Sequence, residues 1–252
     1  MALLLLLLLS ILPGFLIVLY IYWRDRHNRE PLWYLSWCFF FGMLSTYPAI
    51  QMETFGMRDL GIYSATNDAF MTFTFAFAVI ALSEEFVKYL FLRYYIFPKE
   101  VFDEPMDGIV YAVMVGMGFA TLENILYVVI RPQDMATAFQ IGWLRMTTAI
   151  PGHAIFAVVM GYFVGWAKFA PRYQALFLWV GLLGAVLLHG IYDYLIFMRM
   201  KESLVLFVLI MGGMLSLLLL KKHSQYQPYG EQTSVEIDLE TFEEKHPKTP
   251  LD

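Results

Sequence analysis

Seven stretches of the chain are apolar over the length of a membrane crossing, approximately residues 3–23, 32–50, 70–97, 107–130, 140–166, 174–197 and 203–220. A helix needs about 20 apolar residues to span a bilayer. Short polar connections separate them: RDRHNREP, PKEVFDEP, RPQDMATAF, KFAPRY and RMKES, with one longer predicted loop from Gln51 to Ala69. Pro31, Pro98, Pro105, Pro132 and Pro171 mark the boundaries. The pattern predicts an all-α, polytopic transmembrane helix bundle of about seven spans. The leading stretch, MALLLLLLLSILPGFLIVLYIYW, has no basic leading region and no A-x-A-like cleavage site, so it is expected to stay as the first helix. After Lys221 and Lys222 the pattern turns polar, and residues 223–252 are expected to form a disordered tail. The domain assignment is therefore a transmembrane domain over 1–222, with its core at 70–197, followed by the tail.

Composition agrees with the pattern. The chain is 59% hydrophobic and 15% charged, against roughly 45–50% and about 25% in soluble domains. One soluble core could not hide that much apolar surface. The lone Cys38 excludes an intrachain disulfide, and the mild net charge of -5 gives no footprint for nucleic acid. The expected surroundings are the lipid bilayer of the cell membrane. Arg and Lys counts in the connections favour an outside amino terminus and a cytoplasmic carboxyl terminus.

Against this background the ionisable residues inside the spans stand out. A charge at the bilayer centre is costly, and such residues mark functional sites by default. The third stretch, FMTFTFAFAVIALSEEFVKYLFLRYYIF, carries Glu84, Glu85 and Lys88. The fourth carries Glu123 and Asn124, the fifth His153, and the sixth His189 and Asp193. Arg145, near the end of the fifth stretch, is expected to snorkel to the interface. Asp107, at the start of the fourth, suits a helix N-terminus. Gly116, Gly118, Gly161, Gly165, Gly181 and Gly184 are expected to let helices approach closely.

Depth ties the polar groups together. At about 1.5 Å per residue, Glu84 lies roughly 20 Å from the cytoplasmic end of its helix, Glu123 roughly 24 Å, His153 roughly 20 Å and His189 roughly 22 Å. Four helices of alternating direction thus place their polar groups in one layer, in the outer half of the membrane. Glu84 and Lys88 are four residues apart and can pair, as can His189 and Asp193. Carboxylates beside histidines support general-base activation of a water, with a histidine holding the water or stabilising an oxyanion. His and Glu are also ordinary zinc ligands, with Glu123, His153 and His189 as the candidates. The groups come from separate helices, without a compact i, i+4 histidine pair. The reading therefore leans to no metal, with zinc the alternative. The alternative function is an ion- or proton-coupled transporter using the same cluster. No inverted repeat or pair of broken helices supports it.

The motifs resemble a known family. EEFVK (Glu84–Lys88) fits E-E-x-x-K, and FATLEN (Phe119–Asn124) fits F-x-x-x-E-N. A histidine follows in PGHAIF (His153), and HGIYD (His189–Asp193) fits H-x-x-x-D. Together they resemble the PrsW family of intramembrane proteases, relatives of the CAAX prenyl endopeptidases, over about residues 70–197. The resemblance implies hydrolysis of a peptide bond in or beside the membrane, in a membrane protein or peptide substrate. A membrane-anchored anti-sigma factor is the family's best-known case. It implies catalytic roles for Glu84, Glu85, Glu123, His153, His189 and Asp193, with Lys88 and Asn124 supporting them. It leaves the metal question open, because the family has been called a metalloprotease and its relatives are described as glutamate-type.

Overall fold

The computed structural model describes residues 2–25, 28–65 and 67–223, with side chains through Gly213. Helices are the only regular structure among the described residues, with no strand among them. Eight helices follow in order: α1 (Ala2–Arg24), α2 (Leu32–Arg58), α3 (Ala69–Ile96), α4 (Pro105–Ile130), α5 (Met135–Thr147), α6 (Ala149–Phe169), α7 (Gln174–Phe197) and α8 (Lys201–His223). Five segments are long and apolar enough to cross a membrane: α1, α3, α4, the α5–α6 pair, and α7 with its lead-in turn. Met1–Leu215 form one compact unit. Beyond it only the helical backbone to His223 is described, so the expected disordered tail lies outside the described residues.

α4 is the central post. Every residue from Asp107 to Thr121 is buried, and the helix packs chiefly on α6, α2 and α1. Glycines permit this closeness. A Cβ on Gly161 would stand 2.7 Å from the Ile109 Cα, and one on Gly108 2.6 Å from the Gly165 backbone nitrogen. No side chain fits at that crossing. Pro105 opens α4, and Asp107 closes the turn by accepting from the backbone N–H groups of Asp103 and Glu104, both at 2.8 Å.

Three boundaries differ from the sequence reading. α2 continues eight residues past the expected end at residue 50, because its last turns pack on α3: a Cβ on Gly56 would stand 2.7 Å from Val79 Cγ1. α5 begins inside the expected loop, because Asp134 caps it, accepting from the Thr137 N–H (2.9 Å) and hydroxyl (2.7 Å). The single expected fifth helix is two. Thr148 leaves helical geometry (φ -126°, ψ -56°), and Pro151 has no N–H to return to the carbonyl of Thr147. Unbroken, the 35 residues from Met135 to Phe169 would make a rod of about 50 Å, longer than a bilayer core is thick.

α3 and α4 are not uniform. Phe75–Ala81 and Leu92–Ile96 of α3, and Leu126–Ile130 of α4, are π-helical. One π segment therefore ends just before Glu84, and another begins just after Asn124. Such segments add a residue to a turn and rotate the remainder of the helix about its axis, and they recur at functional sites.

Candidate active site

α3, α4, α6 and α7 carry their polar residues to one place. Glu84, Glu85, Lys88, His153, His189 and Asp193 are all buried. At the hub is the Lys88 ammonium, which donates to Glu85 Oε1 (2.8 Å), Glu84 Oε2 (3.2 Å) and His153 Nδ1 (3.3 Å). The ring of Phe119 lies 3.8 Å beneath it, a cation–π seat that accounts for the phenylalanine of F-x-x-x-E-N. Since Nδ1 of His153 accepts from Lys88, its Nε2 carries the hydrogen, which it donates to Glu123 Oε2 at 2.9 Å. The Arg145 guanidinium completes the row, donating to Glu123 Oε2 and Asn124 Oδ1, both at 2.6 Å. A continuous hydrogen-bonded chain thus runs from Arg145 through Glu123, the His153 imidazole and Lys88 to the glutamate pair.

His189 closes the other end. Its Nδ1 donates to Glu85 Oε1 (2.8 Å), and Nε2 lies 3.4 Å from Asp193 Oδ2 and 3.9 Å from Glu84 Oε2. The Phe156 ring stacks on the imidazole with centroids 4.8 Å apart.

The two glutamates diverge. Glu84 lines a cavity of about 140 Å³, together with Glu123, His153, His189, Asp193 and Arg145. That is room for a few waters at about 30 Å³ each. Glu85 is not among the lining residues. It is 1% exposed and holds Lys88 and His189 from behind.

Several residues lie otherwise than their spacing along the chain predicts. The expected pairing of His189 with Asp193 is present at Nε2 (3.4 Å), but the ring is not left free at its other nitrogen, because Nδ1 is hydrogen-bonded to Glu85. Arg145 does not snorkel, because the break at Thr148 turns α5 so that the guanidinium points inward. Thr148 itself meets the Tyr192 hydroxyl at 3.0 Å. Glu53 falls in the predicted loop but lines the cavity from α2, on one helical stripe with Thr46 and Ile50. That stripe, at i, i+4 and i+7, was the signal available had α2 been extended. Asp107 sits at the far end of α4, away from the cavity.

Metal binding meets an obstacle here. Donor atoms of Glu84, Glu85, His153 and His189 all lie within 4.8 Å of one another, and their types suit zinc. Yet three of those four residues are gathered on the Lys88 ammonium, which occupies the position a cation would need. On the cavity side, by contrast, Glu53 has no hydrogen bond with a described residue, and His189 Nε2 and Asp193 Oδ2 face each other at 3.4 Å. The expected set Glu123, His153 and His189 is split too, because both nitrogens of His153 are engaged. With Lys88 in place, neither the Glu84, Glu85, His153 and His189 cluster nor the expected Glu123, His153 and His189 set fits a divalent ion.

A membrane helix bundle enclosing buried carboxylates and histidines around a small cavity is an arrangement able to activate a water, and similarity to known proteins gives the class. The chain belongs to the PrsW family: a family model described as PrsW family intramembrane metalloprotease matches residues 30–219. Curated relatives named Protease PrsW are similar to it over most of its length. That of Geobacillus kaustophilus (strain HTA426) is 35% identical over 187 residues, covering 74% of this chain and 77% of the relative. That of Clostridioides difficile (strain 630) is 31% identical over 203 residues, covering 80% and 83%. That of Bacillus subtilis (strain 168) is 31% identical over 188 residues, covering 74% and 80%. No solved structure matches the chain. The protein is a membrane-embedded protease of this family, with a membrane-protein substrate.

Proposed function

We propose that the cavity is where the peptide bond is cut and that Glu84 is the general base. The supporting observation is that Glu84 is the one member of the glutamate pair lining the cavity, while Glu85 is turned into the protein. A water held between Glu84 and His189 Nε2, 3.9 Å apart, lies within one hydrogen bond of each. Glu84 takes its proton as the oxygen attacks the carbonyl carbon. Glu85 fixes the imidazole through Nδ1. Two of the five N–H groups of Arg145 are spent on Glu123 and Asn124, and the cation faces the cavity where the oxyanion forms. Glu123 and His153 hold Arg145 and Lys88 in register, and Asp193 borders the His189 side.

The substrate class is a membrane-spanning protein cut in or beside its span, with a membrane-anchored anti-sigma factor as one member to try. Residues 1–222 are the proteolytic domain, with the cavity towards the outer face, the amino terminus outside and the carboxyl terminus cytoplasmic. A reporter fused after Asp252 that works only outside the cytoplasm contradicts the orientation.

The metal question has its own test. The purified chain in liposomes, given a single-span peptide, is expected to cut it equally well after exhaustive chelation. Loss of cutting that stoichiometric zinc alone restores contradicts a metal-free water.

A further inference from the structure

Amide hydrolysis needs two proton transfers. A base takes one proton from water, and the leaving nitrogen must gain one before the C–N bond breaks. The carboxyls lining the cavity differ in how they are held. Glu84 is bonded to Lys88, Glu123 to Arg145 and His153, and Asp193 lies 3.4 Å from His189 Nε2. Glu53 alone among them has no hydrogen bond or ion pair with any described residue. It reaches the cavity from α2, a different wall from the α3 wall that carries Glu84. The charges it feels most are those of Glu84, Glu123, Asp193 and His189. An ionisable group without a partner, facing a cavity enclosed by membrane helices, is expensive and calls for a functional reason. With no cation bound to it as a counter-ion, it meets the condition for a proton donor rather than a fixed anion.

We propose that Glu53 is a further catalytic residue, which hands its carboxyl proton to the leaving nitrogen as the C–N bond breaks. The proposal rests on the reading of the cavity as the active site. The balance is simple. Water loses a proton to Glu84 as its oxygen bonds to the carbonyl carbon. The electron pair of the C–N bond passes to nitrogen, which takes the Glu53 proton, and acid and amine depart. The proton on Glu84 returns through cavity water to Glu53, and both groups are restored.

The test compares two leaving groups. Full-length wild type, Glu53→Gln and Glu84→Gln are reconstituted in liposomes with a single-span peptide of mapped cleavage site. A second peptide carries a thioester at that bond, and its thiolate leaves without a proton. Glu53→Gln is expected to lose about 10²-fold or more in kcat/KM on the amide and less than about threefold on the thioester, the size and selectivity of a lost general acid. Near-normal thioester turnover also shows that the variant is folded. Equal losses on both peptides, or no loss on the amide, overturn the proposal. Glu84→Gln should lose both activities, and if it loses neither, the reading of the site fails on its own account. Infrared difference spectra of wild type against Glu53→Gln give a readout independent of cleavage. A protonated-carboxyl band at neutral pH that vanishes in the variant is expected, and its absence from wild type overturns the proposal.

Discussion

Two groups of buried acids occupy opposite ends of α4, and they are built on different terms. At the cavity, Glu84, Glu85 and Glu123 alternate with Lys88, Arg145, His153 and His189, so each carboxylate has a cation or an imidazole within 3.2 Å. At the other end, Asp25, Glu30 and Asp107 are equally buried, yet none is ion-paired with a described residue. Their partners are neutral: the Tyr111 hydroxyl donates to Glu30, and backbone N–H groups donate to Asp107 and Asp25. Burial pushes the Asp25 carboxyl up to about 7, and it raises Glu30 as well. Burial alone therefore does not mark chemistry. Carboxylates interleaved with fixed cations around a cavity can hold charge through a reaction, whereas neutrally satisfied carboxyls cap helices and join loops. Glu53 shares the cation-free condition of the second group but lines the cavity of the first.

The contrast can be broken from either side. The largest effect is expected at Glu84: Glu84→Gln should lower kcat/KM by about 10³-fold or more, since a base and its partners act as a unit. Lys88→Met comes next. It leaves two glutamates buried without their counter-ion, which costs about 3–5 kcal/mol of stability, and activity per folded molecule should fall with it. Thermal unfolding in detergent alongside a cleavage assay separates the two losses. At the other end, Asp107→Asn should cost about 1–2 kcal/mol as a lost cap while cleavage per folded molecule stays unchanged. Activity lost there as steeply as at Glu84 would erase the distinction between the groups.

The smallest effect concerns pH. The folded-state value of Asp25, about 7, is above its ordinary 3.8. The folded chain therefore holds an extra proton between those values, and the stability Asp25 contributes is full below about 4 and is lost as pH rises through 7. Asp25→Asn should flatten that slope, seen as a smaller difference in melting temperature between pH 5 and pH 8. An unchanged slope contradicts the assignment.

Much of this was legible because charges inside apolar helices are too costly to be incidental. Glu84, Glu85, Lys88, Glu123, His153, His189 and Asp193 were visible for that reason, and helical rise placed the key four in one layer. The i, i+4 rule also matched Lys88 to Glu84. What the sequence did not carry was rotation and bending. The π segments in α3 and α4 shift the phase of the helix, so the pairing of Glu85 with His189 Nδ1 depends on geometry between helices. Arg145 was misplaced because the break at Thr148 reverses where its side chain points. Glu53 was hidden because Gln51, Glu53 and Thr54 made the end of α2 look like loop. In the fold the Thr54 hydroxyl donates to the Ile50 carbonyl at 2.7 Å and the helix runs on.

The central claim is that Glu84, at the cavity wall, activates the water that cuts the substrate. Purified full-length protein in liposomes, assayed on one single-span peptide with wild type, Glu84→Gln and Asp107→Asn at equal folded concentration, tests it most directly. Wild type and Asp107→Asn are expected to cut at matching rates, with no measurable cutting by Glu84→Gln. Cutting by Glu84→Gln at the wild-type rate would contradict it.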